Sequence, residues 1–187
     1  MKLWLIRHGL TRLGEEKRYQ GALDEPLSER GRAELRRADC IPARVYVSPM
    51  RRARETAAIL FPKAEQIVIP DLREMDFGDF EGRAWWEMEN DPAYRAWVDG
   101  GCGGRCPGGE DRAAFSARVC AAMEELLRRE REKLVIVAHG GTQMSALEKW
   151  GVPARAWYEW QRPCGCGWLL EWDGENMRVL KEVDYRR

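Results

Sequence analysis

The stretch LWLIRHGLTR, Leu3–Arg12, sets a short unbroken apolar run directly against an arginine, a histidine and a glycine. A run of this kind, without polar alternation, suits a strand covered on both faces, as in a parallel sheet flanked by helices. The chain has only two histidines, and the second repeats the arrangement: LVIVAHGG, 134–141, places His139 between an apolar run and glycine. Similar runs are RVYVS (44–48), QIVIP (66–70), GWLLEW (167–172) and MRVLKEV (177–183).

Helical patterns separate these strands. SPMRRARETAAIL, 48–60, predicts a helix with Ser48 as its N-cap and Pro49 in the first turn, where a missing N–H costs nothing. EDRAAFSARVCAAMEELLRRERE, 110–132, places Phe115, Val119, Met123 and Leu126 on one face, with acids leading and arginines trailing. TQMSALEKWG follows the second His-Gly, with Gly151 as its stop. The alternation predicts a single α/β domain over residues 1–187, a three-layer α/β/α arrangement around a mostly parallel sheet of about six strands. Residues 79–110 break the rhythm with Trp85, Trp86, Trp97 and a glycine-dominated loop. In an open α/β sheet such an insertion roofs the ligand crevice, so a lid is expected there.

Composition narrows the function. Lys plus Arg and Asp plus Glu are both 31, so no global field favours nucleic acid or an anionic membrane. The opening MKLWLIRHG does not read as a signal peptide, and no apolar run approaches a bilayer span; a cytoplasmic location is the expectation. A homodimer is compatible with the sequence. The six cysteines (Cys40, Cys102, Cys106, Cys120, Cys164 and Cys166) are expected to be reduced thiols, since CGGRC and CGC lack the usual zinc-knuckle spacing.

Arg7, His8, Arg52, Glu74 and His139 are distant in sequence, yet each follows a predicted strand. The carboxyl ends of parallel strands share one edge, so the five converge on one crevice. Arginines beside helix N-termini make a site for a dianionic tetrahedral group such as phosphate. A histidine there can attack phosphorus, and a carboxylate can protonate a leaving alkoxide. Taken singly, a strand-end histidine is most often a polar residue satisfied by backbone, and RHG or HGG alone is a short match. The shared position at strand ends gives them weight together. The histidines lack a third ligand and the His-x-x-x-His spacing, so neither metal nor other cofactor is expected.

LIRHGLT, YQGALDEPLSERG, SPMRRARETA, LREMDFGDFEG, CPGGED and VAHGG, in this order, resemble the blocks of the histidine phosphatase superfamily, the phosphoglycerate mutase-like fold. The resemblance implies His8 as the phosphorylated nucleophile, Arg7 and Arg52 as phosphate clamps, Glu74 as proton donor and acceptor, and His139 with the Gly140 N–H against the phosphoryl oxygens. Gly9, Thr11, Gln20 and Gly21 would edge the substrate. The chain departs from the usual pattern at Leu10 and Gly14, where the family commonly has an acid and an asparagine. The compact chain and aromatic, glycine-rich insertion favour a phosphatase acting on a small-molecule phosphomonoester over a mutase. MKLWLIRHG, EMDFGDFEG and CGCGWLLEWDG are most similar to the alpha-ribazole phosphatases of cobalamin biosynthesis. Trp85, Trp86 and Trp97 would then face the substrate's flat base, or simply pack the lid onto the core. A general small-molecule phosphatase and a phosphoglycerate mutase are the alternatives, followed by an idle phospho-ligand-binding module.

Overall fold

The strand that begins with Lys2 lies at the middle of the sheet, and that position organises the molecule. A computed structural model describes all 187 residues, Met1–Arg187. Its strands are β1 (Lys2–Arg7), β2 (Arg44–Val47), β3 (Glu65–Val68), β4 (Lys133–Ala138), β5 (Gly151–Val152), β6 (Cys166–Trp172) and β7 (Met177–Asp184). They form one sheet in the order β3-β2-β4-β1-β6-β7-β5. β3, β2, β4 and β1 run parallel, β6 is antiparallel to both β1 and β7, and β5 runs parallel to β7.

The sheet is therefore more mixed than the apolar runs suggested. β6 and β7 are separated only by Asp173–Asn176, and so short a link joins strands only as an antiparallel hairpin. Asp173 builds the turn by accepting from the Glu175 and Asn176 N–H groups, and Gly174 takes φ +112. The two-residue β5 carries no sequence signal of its own.

The helices are α1 (Arg12–Glu15), α2 (Glu29–Glu34), α3 (Arg51–Leu60), α4 (Pro92–Asp99), α5 (Arg112–Arg129) and α6 (Gly140–Trp150). α5 and α6 share a buried cluster with Leu3, Leu5, Tyr46 and Ile136; α3 shares a second one with Ile6, Val45, Val47, Val135 and Val137. Strand alternation sends these side chains to opposite faces of the sheet, so the two clusters are the two interfaces of a three-layer α/β/α fold. In α5 the expected stripe of Phe115, Val119, Met123 and Leu126 is buried, and Asp111 caps the helix by accepting from Ala114 N–H.

Two helix ends differ from the sequence reading. α3 starts at Arg51, with Met50 rather than Ser48 at its N-cap. The Ser48 hydroxyl is turned instead toward His139 Nε2, 2.6 Å away. Gly151 ends α6 at φ −70, without a left-handed cap, by leading into β5. Glycine is needed there because a Cβ would meet the Leu147 carbonyl at 2.4 Å and the Trp160 ring.

Residues 79–110 contain a 3₁₀ turn at Trp85–Glu87, α4 and a glycine-rich loop. Trp97 is buried against Tyr19, Phe77, Phe80 and Tyr94. Trp85 and Trp86 are 55% and 44% exposed and pack on each other. They are not part of an inward-facing aromatic roof. No helix is long and apolar enough to cross a membrane.

Candidate active site

Arg7 ends β1, His8 follows it, Arg52 lies in the first turn of α3 after β2, Glu74 lies in the loop after β3, and His139 is the N-cap of α6 after β4. The structure brings all five to the carboxyl edge of the parallel half of the sheet. The His8 and His139 rings meet edge to face with centroids 5.2 Å apart. The His8 N–H donates to the Ala138 carbonyl at 2.9 Å, extending the β1–β4 ladder up to the site. Gly9 N–H donates to Thr56 Oγ1 at 2.9 Å, and Thr56 Oγ1 donates to the Arg52 carbonyl at 2.6 Å. That chain of bonds fixes the first turn of α3 against the Arg7-His8-Gly9 corner.

His8 Nδ1 lies 2.7 Å from the Gly9 carbonyl, which can only accept, so Nδ1 carries the proton and Nε2 keeps its lone pair. Burial, then the charges of Arg52 and Arg7, hold the His8 pKa well below the ordinary histidine value, against the opposing Gly9 bond. The ring is thus held neutral, with the Nε2 lone pair free. His139 is likewise held neutral by burial and by the neighbouring Arg52, His8 and Arg7.

The two arginines are anchored by carbonyls alone. Arg52 is fully buried and donates to Leu23 O at 2.8 Å and Gly21 O at 2.9 Å; Arg7 Nη1 donates to Arg162 O at 3.0 Å. Arg7 Nε, Arg52 Nε and His139 Nδ1 are all buried without a partner. Cations held on carbonyls, with unsatisfied donors beside them, are an expensive arrangement unless an anion completes it. The Gly140 N–H, first in α6, also lacks an intrahelical acceptor. The cluster has the donors and the positive charge that a dianion would need.

Glu74 accepts from Met75 N–H at 3.0 Å through Oε1 and from Gly141 N–H at 3.2 Å through Oε2. Desolvation raises its pKa above the ordinary carboxylate value, while those two amides and the charges of Arg52 and Arg7 pull it down. A Cβ on Gly141 would meet Glu74 Oε1 at 2.2 Å, so glycine is what lets the carboxylate approach α6.

The loop residues expected to edge the substrate are tied together. Thr11 Oγ1 donates to Gln20 Oε1 at 2.7 Å and accepts from Gly14 N–H at 3.1 Å. Gly21 gives its carbonyl to Arg52 and its N–H to Glu81. Glu81 was not apparent from the sequence, yet its carboxylate accepts the N–H groups of Gly21, Ala22, Leu23 and Phe77. Ser48 and Thr56 were missed in the same way, since each acts through a contact across elements.

Beside Glu74 a cavity of about 200 Å³ is lined by Tyr19, Phe77, Trp97, Trp157, Tyr158 and Arg112, among others. Arg112 lies 4.6 Å over the Trp157 ring. The 3₁₀ turn Trp157–Trp160 therefore supplies part of the wall; of Trp85, Trp86 and Trp97, expected from the sequence to offer it, only Trp97 lines this cavity. Cys102 also reaches this cavity. Burial pushes the Cys106 and Cys120 thiols up to about 11 and Cys166 up to about 12, away from thiolate chemistry.

Comparison with known proteins agrees with this geometry. Adenosylcobalamin/alpha-ribazole phosphatase of Salmonella typhimurium is 29% identical over 197 aligned positions, covering 100% of this chain and 97% of its own. Metal-independent phosphoserine phosphatase of Arabidopsis thaliana is 32% identical over 153, covering 73% of this chain and 63% of its own. The crystal structure of phosphoglycerate mutase from Thermus thermophilus superposes with TM-score 0.76 at 31% identity, over 98% of both chains. Residues 3–184 match the histidine phosphatase superfamily (branch 1), and the chain is a phosphatase belonging to that superfamily.

Proposed function

We propose that the enzyme hydrolyses a phosphomonoester whose alcohol part carries a flat aromatic group, with alpha-ribazole 5′-phosphate as the substrate, in cobalamin biosynthesis. His8 Nε2 attacks phosphorus and the P–O bond to the alcohol breaks. Glu74 gives its proton to the departing oxygen, and Arg7, Arg52, His139 and the Gly140 N–H hold the phosphoryl oxygens. Water then attacks the phosphohistidine, the carboxylate of Glu74 takes its proton, and phosphate leaves. Arg7 and Arg52 supply the positive charge, so the reading includes no metal.

The aromatic cavity next to Glu74 carries this reading. A leaving group protonated by Glu74 must extend into the space that Tyr19, Phe77, Trp97, Trp157 and Tyr158 surround. Burying part of a ring there contributes about 25 cal/mol per Å² of apolar surface, so partial cover gives on the order of ten-fold in kcat/KM. The Salmonella typhimurium relative, whose name includes alpha-ribazole, aligns over the full chain and supports the same substrate. Arg112 is among the residues lining this space, and its stacking on Trp157 extends the flat wall.

The test compares kcat/KM for alpha-ribazole 5′-phosphate and 3-phosphoglycerate in the wild type and in Trp157→Ala. The expected result is that the ribazole ester leads and that the substitution cuts its lead about ten-fold. A better rate on phosphoglycerate would overturn the assignment. An unchanged ratio in Trp157→Ala would remove its aromatic explanation.

A further inference from the structure

Ser48 is fully buried, and its hydroxyl has two partners: it accepts from Met50 N–H at 3.3 Å and lies 2.6 Å from His139 Nε2. The amide can only donate, so the imidazole nitrogen is the one acceptor open to the hydroxyl proton. Withholding that proton would leave a buried donor unsatisfied, which protein interiors avoid. Burial, then Arg52, the His8 ring and Arg7, hold the His139 pKa well below the ordinary histidine value, and the nearby Glu74 carboxylate is engaged by the Met75 and Gly141 N–H groups. Away from water and among these charges the ring carries a single proton. Its other nitrogen, Nδ1, is buried and has no partner.

We propose that Ser48 is a positioning residue for phosphoryl transfer: by donating to His139 Nε2 it keeps the ring's one proton on Nδ1, the atom left to meet a phosphoryl oxygen. With the proton on Nε2 instead, the ring would turn a lone pair toward the oxyanion and repel it. The choice of tautomer therefore decides whether His139 stabilises or opposes the charge that builds on phosphate. The proposal rests on the reading of His8 and His139 as the phosphate cradle.

With only two histidines in the chain, imidazole ¹⁵N–¹H correlation spectra can report both tautomers, and a His8→Asn protein assigns the His139 signals. The expected wild-type pattern is a protonated Nδ1 and a bare Nε2 on His139. Ser48→Ala should lose that single pattern and lower kcat for p-nitrophenyl phosphate about 10- to 100-fold, by analogy with the cost of removing a group that orients a metal-bound histidine. KM should move less. Ser48→Thr keeps the hydroxyl and should recover most of the rate.

A wild-type proton on Nε2 overturns the proposal, as does a Ser48→Ala protein that keeps both the tautomer and kcat. If Ser48→Ala does not fold, the wild-type spectrum decides by the same criterion. Full turnover in His8→Ala would instead overturn the phosphohistidine reading, because the His139 tautomer is measured without reference to activity.

Discussion

Glu74 and His8 are displaced in opposite directions by the same desolvation, and the displacement sets a pH window. The His8 pKa is lowered, so its neutral form survives as pH falls and is lost only well below the ordinary histidine value. The Glu74 pKa is raised, so its acid form persists above the ordinary carboxylate value and is lost as pH rises through the raised one. kcat/KM on an alkyl phosphate is therefore expected to fall on the basic side as Glu74 loses its proton, at a pH above the ordinary carboxylate value, and Glu74→Gln should remove that limb. The same substitution should slow alkyl esters about 10²–10⁴-fold but p-nitrophenyl phosphate much less, because nitrophenolate leaves without a proton. Equal losses on both would assign Glu74 another role. Gly141→Ala makes an independent test of placement. Its Cβ would displace Glu74 Oε1, which lies 2.2 Å from that point, and a shift of about 1 Å in a catalytic group costs on the order of 10²-fold. Steady-state rates together with a retained circular dichroism spectrum would check it.

Among the elements, the two aromatic segments behave differently, and the difference can be measured. Trp85→Ala is expected to leave kcat/KM unchanged, since Trp85 is exposed and lies on the outer side of α4 with Glu89, Arg95 and Val98. A loss comparable to that of Trp157→Ala would show that the Trp85–Glu87 turn reaches the substrate. The sequence made the first set of site residues legible and hid the cavity wall for a physical reason. Arg7, His8, Arg52 and His139 are placed by local grammar, an apolar strand followed by a helix start, which acts over a few residues. Trp157, Tyr158 and Arg112 meet only because the 3₁₀ turn after β5 folds back over α6 toward α5, and no spacing records that. The pair Ser48-Pro49 reads as a helix start until His139 competes for the hydroxyl, a contact between positions 91 residues apart. The mixed half of the sheet was hidden similarly, since the β6 and β7 runs look apolar whichever way they run. The four residues between them hold the missing direction.

For the molecule as a whole, the important fact is where β1 sits. It is hydrogen-bonded to β4 on one side and to β6 on the other, with the α3 cluster against one face and the α5–α6 cluster against the other. Neither ladder can open without uncovering both clusters, so no small local fluctuation frees this strand. The His8 amide, bonded to the Ala138 carbonyl, belongs to that same locked ladder. In deuterated solvent it is expected to exchange at the rate set by global unfolding, together with the amides of Leu5 and Ile136, while the amides of the Trp85–Glu87 turn exchange far sooner. Early labelling at His8 would show that the corner opens by itself. A strand end is where a sheet usually has its mobile rim, yet here the His8 backbone amide would be among the last in the chain to exchange its hydrogen, while the ring beside it stays open to substrate and water.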